Sequence, residues 1–216
     1  DVPGAPVRYE MDFEHLESVC DSTCKVFILC NPHNPAGICW SRETLQRLAH
    51  FCTERNILVI SDEIHSDMAL YGHKHLPFAS VSDEAANCSI SFAAPSKTFN
   101  IAGVVSSYSI VPNETLRKQF YSWLEANEFG SPTLFAPIAT IAAFEKGEQW
   151  RQQMLRYVED NVEFVIDYCA THIPQIRPLR PEVSFLVWLD CRKMGLSHDE
   201  MVNFFVNKTR LAMNSG

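Results

Sequence analysis

A chain of 216 residues, 46% of them hydrophobic, can bury the core of one large domain, or of one domain and part of a second. Its 18 Lys plus Arg against 26 Asp plus Glu give a net charge of −8, which excludes a nucleic-acid surface built on a basic face. No apolar run reaches the roughly 18 residues that a membrane-spanning helix needs.

The opening DVPGAPVRYE lacks the basic and apolar stretches of a secretory leader. Eight cysteines scattered through a chain of this size read as reduced, mostly buried thiols of a cytoplasmic protein. YEMDFEHLESV predicts a short strand leading into a helix capped by Asp12. KVFILCNP follows, a continuous apolar run of the kind buried in a parallel sheet. Cys20, Cys24, Cys30 and His33 match no zinc-ligand spacing, so no metal is expected there.

After the turn NPHNPAG, Ser41 is placed to cap a helix whose apolar face is Leu45, Leu48, Ala49 and Cys52. Glu43 in its first turn suits the helix dipole. NILVISDEI, NCSISFAAP and VVSSYSIVP then read as further strands, and strands alternating with helices predict a parallel α/β sheet. His73 and His75, in YGHKHLP, read as residues of a surface turn.

From Asn113 the pattern turns helical, with Leu116, Phe120, Trp123, Leu124 and Asn127 at helical spacing. Gly147 ends the next helix, and residues 149–172 form a long amphipathic one. The Pro-rich stretch 173–181 is the expected boundary between a large domain, 1–172, and the start of a smaller α+β domain, 173–216. Beyond it lie a strand, SFLVWLDCR, and a helix opened by a capping box of Ser197 and Glu200. Nothing is seen to pair that strand. The chain therefore reads as a piece of a longer protein, cut at the C-terminus and at the N-terminus.

Ligands of parallel α/β sheets bind at the carboxyl ends of the strands. Three polar side chains fall there: Asn34, Asp62 and Lys97. Singly, each has an ordinary explanation as a turn former, a helix cap and a solvated loop lysine. Together they supply what a pyridine aldehyde cofactor needs: an amine for the Schiff base, a carboxylate for the ring nitrogen and an amide for the phenolic oxygen. Ile64, two residues past Asp62 and on the same side of an extended segment, is placed to cover the ring face.

NPHNPAG, SDEIHSD and SFAAPSKTFNIAG, in that order, resemble the fold-type I pyridoxal-phosphate enzymes of the aspartate-aminotransferase superfamily. SDEIH and PSKTFN are similar to the cystathionine β-lyase, or C–S lyase, group. The resemblance implies a three-layer α/β sandwich with a mostly parallel sheet, bound pyridoxal 5′-phosphate, an amino-acid substrate and a homodimer. It implies that Lys97 is the Schiff-base lysine and general base, that Asp62 pairs with the pyridinium nitrogen and that Asn34 donates to the phenolic oxygen. The Asn34–Pro35 bond is expected to be cis.

By the same resemblance His65 stands where many aminotransferases carry a Tyr that also touches the phenolic oxygen, although a His packed at a strand end is the plainer reading. Ser96 is a candidate phosphate contact, while Ala94 replaces a serine that many relatives carry. The implied reaction is elimination of a thiol from a cysteine S-conjugate to give pyruvate and ammonia. An aminotransferase shares every residue named. A third reading is an incomplete, non-catalytic dimerising fragment, since neither the family's carboxylate-binding Arg nor its ring-stacking aromatic is matched in this chain.

Overall fold

The computed structural model describes residues 8–214. The leader reading of residues 1–7 and the last two residues of LAMNSG lie outside the described residues. The first element is helix α1 (Phe13–Val19), and its N-cap Asp12 accepts from His15 N. Residues 8–12 are irregular where a short strand was expected.

Four strands form the main sheet: β1 (Val26–Cys30), β2 (Leu58–Asp62), β3 (Ser89–Ala93) and β4 (Tyr108–Ile110). They lie in the order β1-β2-β3-β4, the first three parallel and β4 antiparallel to β3. The fold is thus α/β with a mostly parallel sheet. The β3–β4 connection carries no crossover helix beyond one short 3₁₀ turn at Ala102–Val104, so the chain returns antiparallel. VVSSYSIVP was expected to be another buried parallel strand. Its strand is three residues long, with Tyr108 and Ile110 exposed.

Helix α2 (Arg42–Glu54) forms as its sequence predicts: Ser41 Oγ accepts from Thr44 N, and Glu43 lies in the first turn. Leu45, Leu48, Ala49 and Cys52 are completely buried. They join Phe13, Leu29, Val59, Phe78 and Val81, with Ala85 from helix α3 (Asp83–Asn87), in one core on a single face of the sheet. Burying a leucine in this way is worth about 1.5–3 kcal/mol.

The second half is helical: α4 (Glu114–Ala126), α5 (Ala136–Lys146) and α6 (Glu148–His172), with Gly147 ending α5 and opening α6. After α6 a second, two-stranded sheet pairs β5 (Arg177–Leu179) antiparallel with β6 (Trp188–Asp190). The expectation that the SFLVWLDCR strand would lack a partner is therefore corrected. Its partner lies inside the Pro-rich stretch, because Pro178 tolerates an edge position where no ladder N–H is needed. Helix α7 (His198–Asn203) opens with the Ser197–Glu200 capping box and runs into a π-helical turn, Phe204–Thr209.

Two smaller expectations also change. All eight cysteines are free, but Cys52 and Cys169 are the buried ones and the other six are half-buried. His73 is exposed, whereas the His75 side chain is buried against Glu63, its Nε2 2.9 Å from the Glu63 carboxylate.

Candidate active site

The carboxyl ends of β1, β2 and β3 lie side by side, with Cys30 opposite Asp62 and Asp62 opposite Phe92. Side chains alternate across the sheet, which sends Ser61 into the core and leaves Asp62, the last residue of β2, exposed on the other face. Asp62 Oδ1 accepts from Ile64 N at 3.1 Å, and Oδ2 has no hydrogen-bond partner among the described residues. Residues 64–67 turn, so the extended segment expected to carry Ile64 on the same side as Asp62 is absent, and Ile64 is half-buried in that turn. The turn is held by the Asp62–Ile64 bond together with Ser66 N to Glu63 O at 2.9 Å and Met68 N to His65 O at 3.0 Å.

Asn34 reaches the same crevice from the loop after β1. That loop has cis peptides at Asn31–Pro32 and at Asn34–Pro35, the second as expected. Asn34 N donates to Cys30 Sγ at 3.3 Å, and Asn34 Nδ2 lies 3.2 Å from His65 Nε2. His65 is buried at 3% exposure against the Phe185 ring, and its Nδ1 has no partner. Burial, reinforced by the positive amine of Lys97, holds the His65 imidazole below its ordinary pKa, while Asp62 pulls the other way. His65 thus lies within electrostatic reach of both charged candidates. Beside it, burial pushes the Cys30 thiol up, opposed by the Asn34 N–H and supported by the Asp62 charge.

Lys97 is exposed on the turn that follows β3. That turn is closed by Phe99 N to Pro95 O at 2.9 Å and Ile101 N to Ser96 O at 3.1 Å. Pro95 and Thr98 are fully buried on either side, so the backbone is anchored while Lys97 itself is exposed. Ser96 is half-buried in the same turn, and Thr98 Oγ1 is buried without a partner. Phe99 fixes the far side through edge contact with Phe144, centroids 5.5 Å apart.

Three supports escaped the sequence reading. Glu63 Oε1 accepts from Ser61 Oγ, Ser91 Oγ and Phe78 N at 2.9–3.0 Å, and Oε2 faces His75. This buried carboxylate ties β2, β3 and the 75–78 segment together directly behind Asp62. Glu182 is the second: its N donates to Gly37 O, its O accepts from Leu70 N, and its carboxylate accepts from Cys39 N. Gly37, at φ +67, is the third, since a Cβ there would sit 2.6 Å from Pro181 Cβ. The acidic residue next to Asp62 in SDEIH was the one visible sign of the first. The other two depend on a contact more than 140 residues away in sequence.

An α/β sheet whose adjacent strand ends gather an amide, a carboxylate and an amine defines a protein with its ligand crevice at the carboxyl edge. The class I and II aminotransferase profile matches residues 3–211, and the chain belongs to that family. It is 44% identical over 209 residues to the cystathionine β-lyase PatB of Bacillus subtilis, covering 96% of this chain and 54% of that protein. It is 30% identical to MalY of Escherichia coli, over 95% of this chain and 52% of that one.

Among solved structures, cystalysin from Treponema denticola, which contains pyridoxal 5′-phosphate, superposes with a TM-score of 0.88 at 30% identity, covering 97% of this chain and 53% of that one. The pyridoxal-phosphate-bound C–S lyase from Staphylococcus hominis gives 0.83 at 33% identity, again over 97% and 53%. The chain spans about half the length of the curated relatives it matches.

Proposed function

We propose that the protein is a pyridoxal-phosphate-dependent C–S β-lyase. The observation that carries this reading is the gathering of Asn34, His65, Asp62 and Lys97 in one crevice of a chain similar to cystathionine β-lyases. The residues present fit the cofactor. Asp62 keeps one carboxylate oxygen open, the Lys97 amine is exposed on an anchored turn, and Thr98 holds a buried hydroxyl without a partner. When bound, the cofactor supplies an electron sink for the pair left on the substrate's Cα.

The chain's own residues do the rest. Lys97 would hold the cofactor and, as a free amine, would take the α-proton. Asp62 would keep the ring nitrogen protonated. Asn34 would donate to the phenolic oxygen, Ile64 would border the ring and Ser96 would hold the phosphate. In the net reaction the Cβ–S bond of a cysteine S-conjugate breaks and the sulfur leaves as a thiol. Water then completes the conversion of the remaining carbons and nitrogen to pyruvate and ammonia.

On the same reading residues 1–172 form the cofactor-binding domain and 173–216 begin a smaller one. The protein works as a homodimer in the cytoplasm, and its substrate is an amino acid. The alternative, an aminotransferase, is favoured by the family's own description and uses the same residues.

The test is the visible spectrum of the purified protein with pyridoxal phosphate, alongside Lys97→Ala, followed by pyruvate release from cystathionine. A lysine-dependent band with pyruvate formed in the absence of any 2-oxo acid supports the lyase. Conversion of an added 2-oxo acid to its amino acid, with no pyruvate released, moves the assignment to transamination. A band of equal size in Lys97→Ala overturns the role of Lys97.

A further inference from the structure

The two nitrogens of His65 are in different situations. Nε2 is 3.2 Å from Asn34 Nδ2, and Nδ1 is buried with no partner. In this amide orientation the Asn34 nitrogen donates, so Nε2 accepts and the neutral ring carries its proton on Nδ1. The Asn34 amide has two hydrogens. One is taken by His65, which leaves the other in a direction set by the imidazole.

We propose that His65 is a positioning residue that acts through Asn34: neutral and protonated on Nδ1, it holds the amide so that its second N–H meets the cofactor's phenolic oxygen. The inference rests on the cofactor assignment above and departs from direct contact between His65 and that oxygen, since Nε2 is already engaged.

Two further observations support it. Asn34 is held twice, its backbone N–H on Cys30 Sγ at 3.3 Å fixing where the side chain starts and His65 fixing where its amide points. An apolar ring would fill the volume beside Phe185 without leaving a polar atom buried and unpaired. The acceptor offered to Asn34 is what a histidine adds there.

The charged groups facing the imidazole are Lys97, from the turn after β3, and Asp62, from the end of β2, and the Phe185 ring covers another side. Burial and Lys97 keep the ring in the neutral form that can accept, against the pull of Asp62. Acidification that protonates His65 removes the acceptor and releases Asn34.

The experiment has two readouts. Imidazole nitrogen NMR of the protein without cofactor should show His65 as the Nδ1–H tautomer, reverting toward Nε2–H in Asn34→Ala. An Nε2–H tautomer in the native protein, or one unmoved by Asn34→Ala, overturns the proposal.

The second readout is the pH titration of the bound cofactor's visible band. Loss of the donor to the phenolic oxygen should raise its apparent pKa by about one unit in Asn34→Ala. His65→Phe should raise it equally, the double variant should add nothing, and His65→Gln, which keeps an acceptor, should stay near the native value. Additive shifts would mean that His65 meets the cofactor itself, which refutes a role through Asn34. Should no band develop at all, the lyase reading fails, while the tautomer measurement still decides the His65–Asn34 link.

Discussion

Helices α2 and α4 have the same length, 13 residues, and both are amphipathic and capped by a side chain that accepts from the third residue on. Yet α2 buries five of its side chains and α4 none. The difference lies in the surroundings. Helix α2 rests on the strands through Leu29 and Val59, with Phe13 and Phe78 closing the sides. Helix α4 meets the sheet through Phe120, whose ring lies 5.8 Å from Phe92, and leaves Trp123 58% exposed. Helical periodicity specifies which face wants burial, and says nothing about whether a partner lies within the described residues.

The comparison is sharpest around the site. The buried carboxylate of Glu63, with its four donors, belongs to the well-packed side. Glu63→Ala should cost about 3–5 kcal/mol, because His75 and three other donors lose their acceptor in a dry core. Urea unfolding measures it, and a cost below about 1 kcal/mol would mean that water replaces the carboxylate.

Next in size, Leu48→Ala should lose about 2–5 kcal/mol, and Leu116→Ala on α4 should lose clearly less, since its site is half-open and can collapse. Equal losses in denaturant midpoint would break the contrast and show that α4 is covered in solution.

Capping should show no contrast at all. Ser41→Ala and Asn113→Ala each remove the hydrogen bond accepted at a helix start together with one further bond, Ser41 Oγ with Thr44 Oγ1 and Asn113 Nδ2 to Asn87 O, and each should cost about 1 kcal/mol. Unequal thermal shifts for these two would place part of the difference between the helices in the backbone rather than in the packing.

The smallest effect belongs to the outer sheet. The Arg192 guanidinium holds the Asp190 carboxyl down to about 2. A depressed folded-state pKa contributes stability above the unfolded value of about 3.9 and loses it as pH falls toward 2. With Arg192 largely exposed, that contribution should stay below about 1 kcal/mol, and Asp190→Asn should flatten this part of the acid titration.

Much of the site was legible because its members lie where β1, β2 and β3 end, and continuous apolar runs announce buried parallel strands. Asn34, Asp62 and Lys97 could be located from those ends alone. The extended segment expected through Ile64 is a turn instead, closed in part by the hydrogen bond from Ile64 N to Asp62, which ends the strand alternation. His75 was misread because a turn-rich stretch can still fold inward when a buried acid such as Glu63 receives it. The VVSSYSIVP strand was expected but not its shortness, exposure and antiparallel direction, and β5, the partner of the SFLVWLDCR strand, was missed because an edge strand buries little and carries no run of apolar residues.

By itself, then, the sequence determined the local elements: the caps at Asp12, Ser41 and Ser197, the strands of the parallel sheet and the face that α2 turns inward. Each rests on interactions within a few residues, or on burial strong enough to show in composition. Tertiary structure decided which polar groups share a partner. Asn34 meets His65 across 31 residues, Glu63 meets Ser91 across 28, and Glu182 closes the Asn34 loop from 143 residues away. Those pairings depend on where the backbone places two distant donors and acceptors within about 3 Å, a distance that no local pattern encodes.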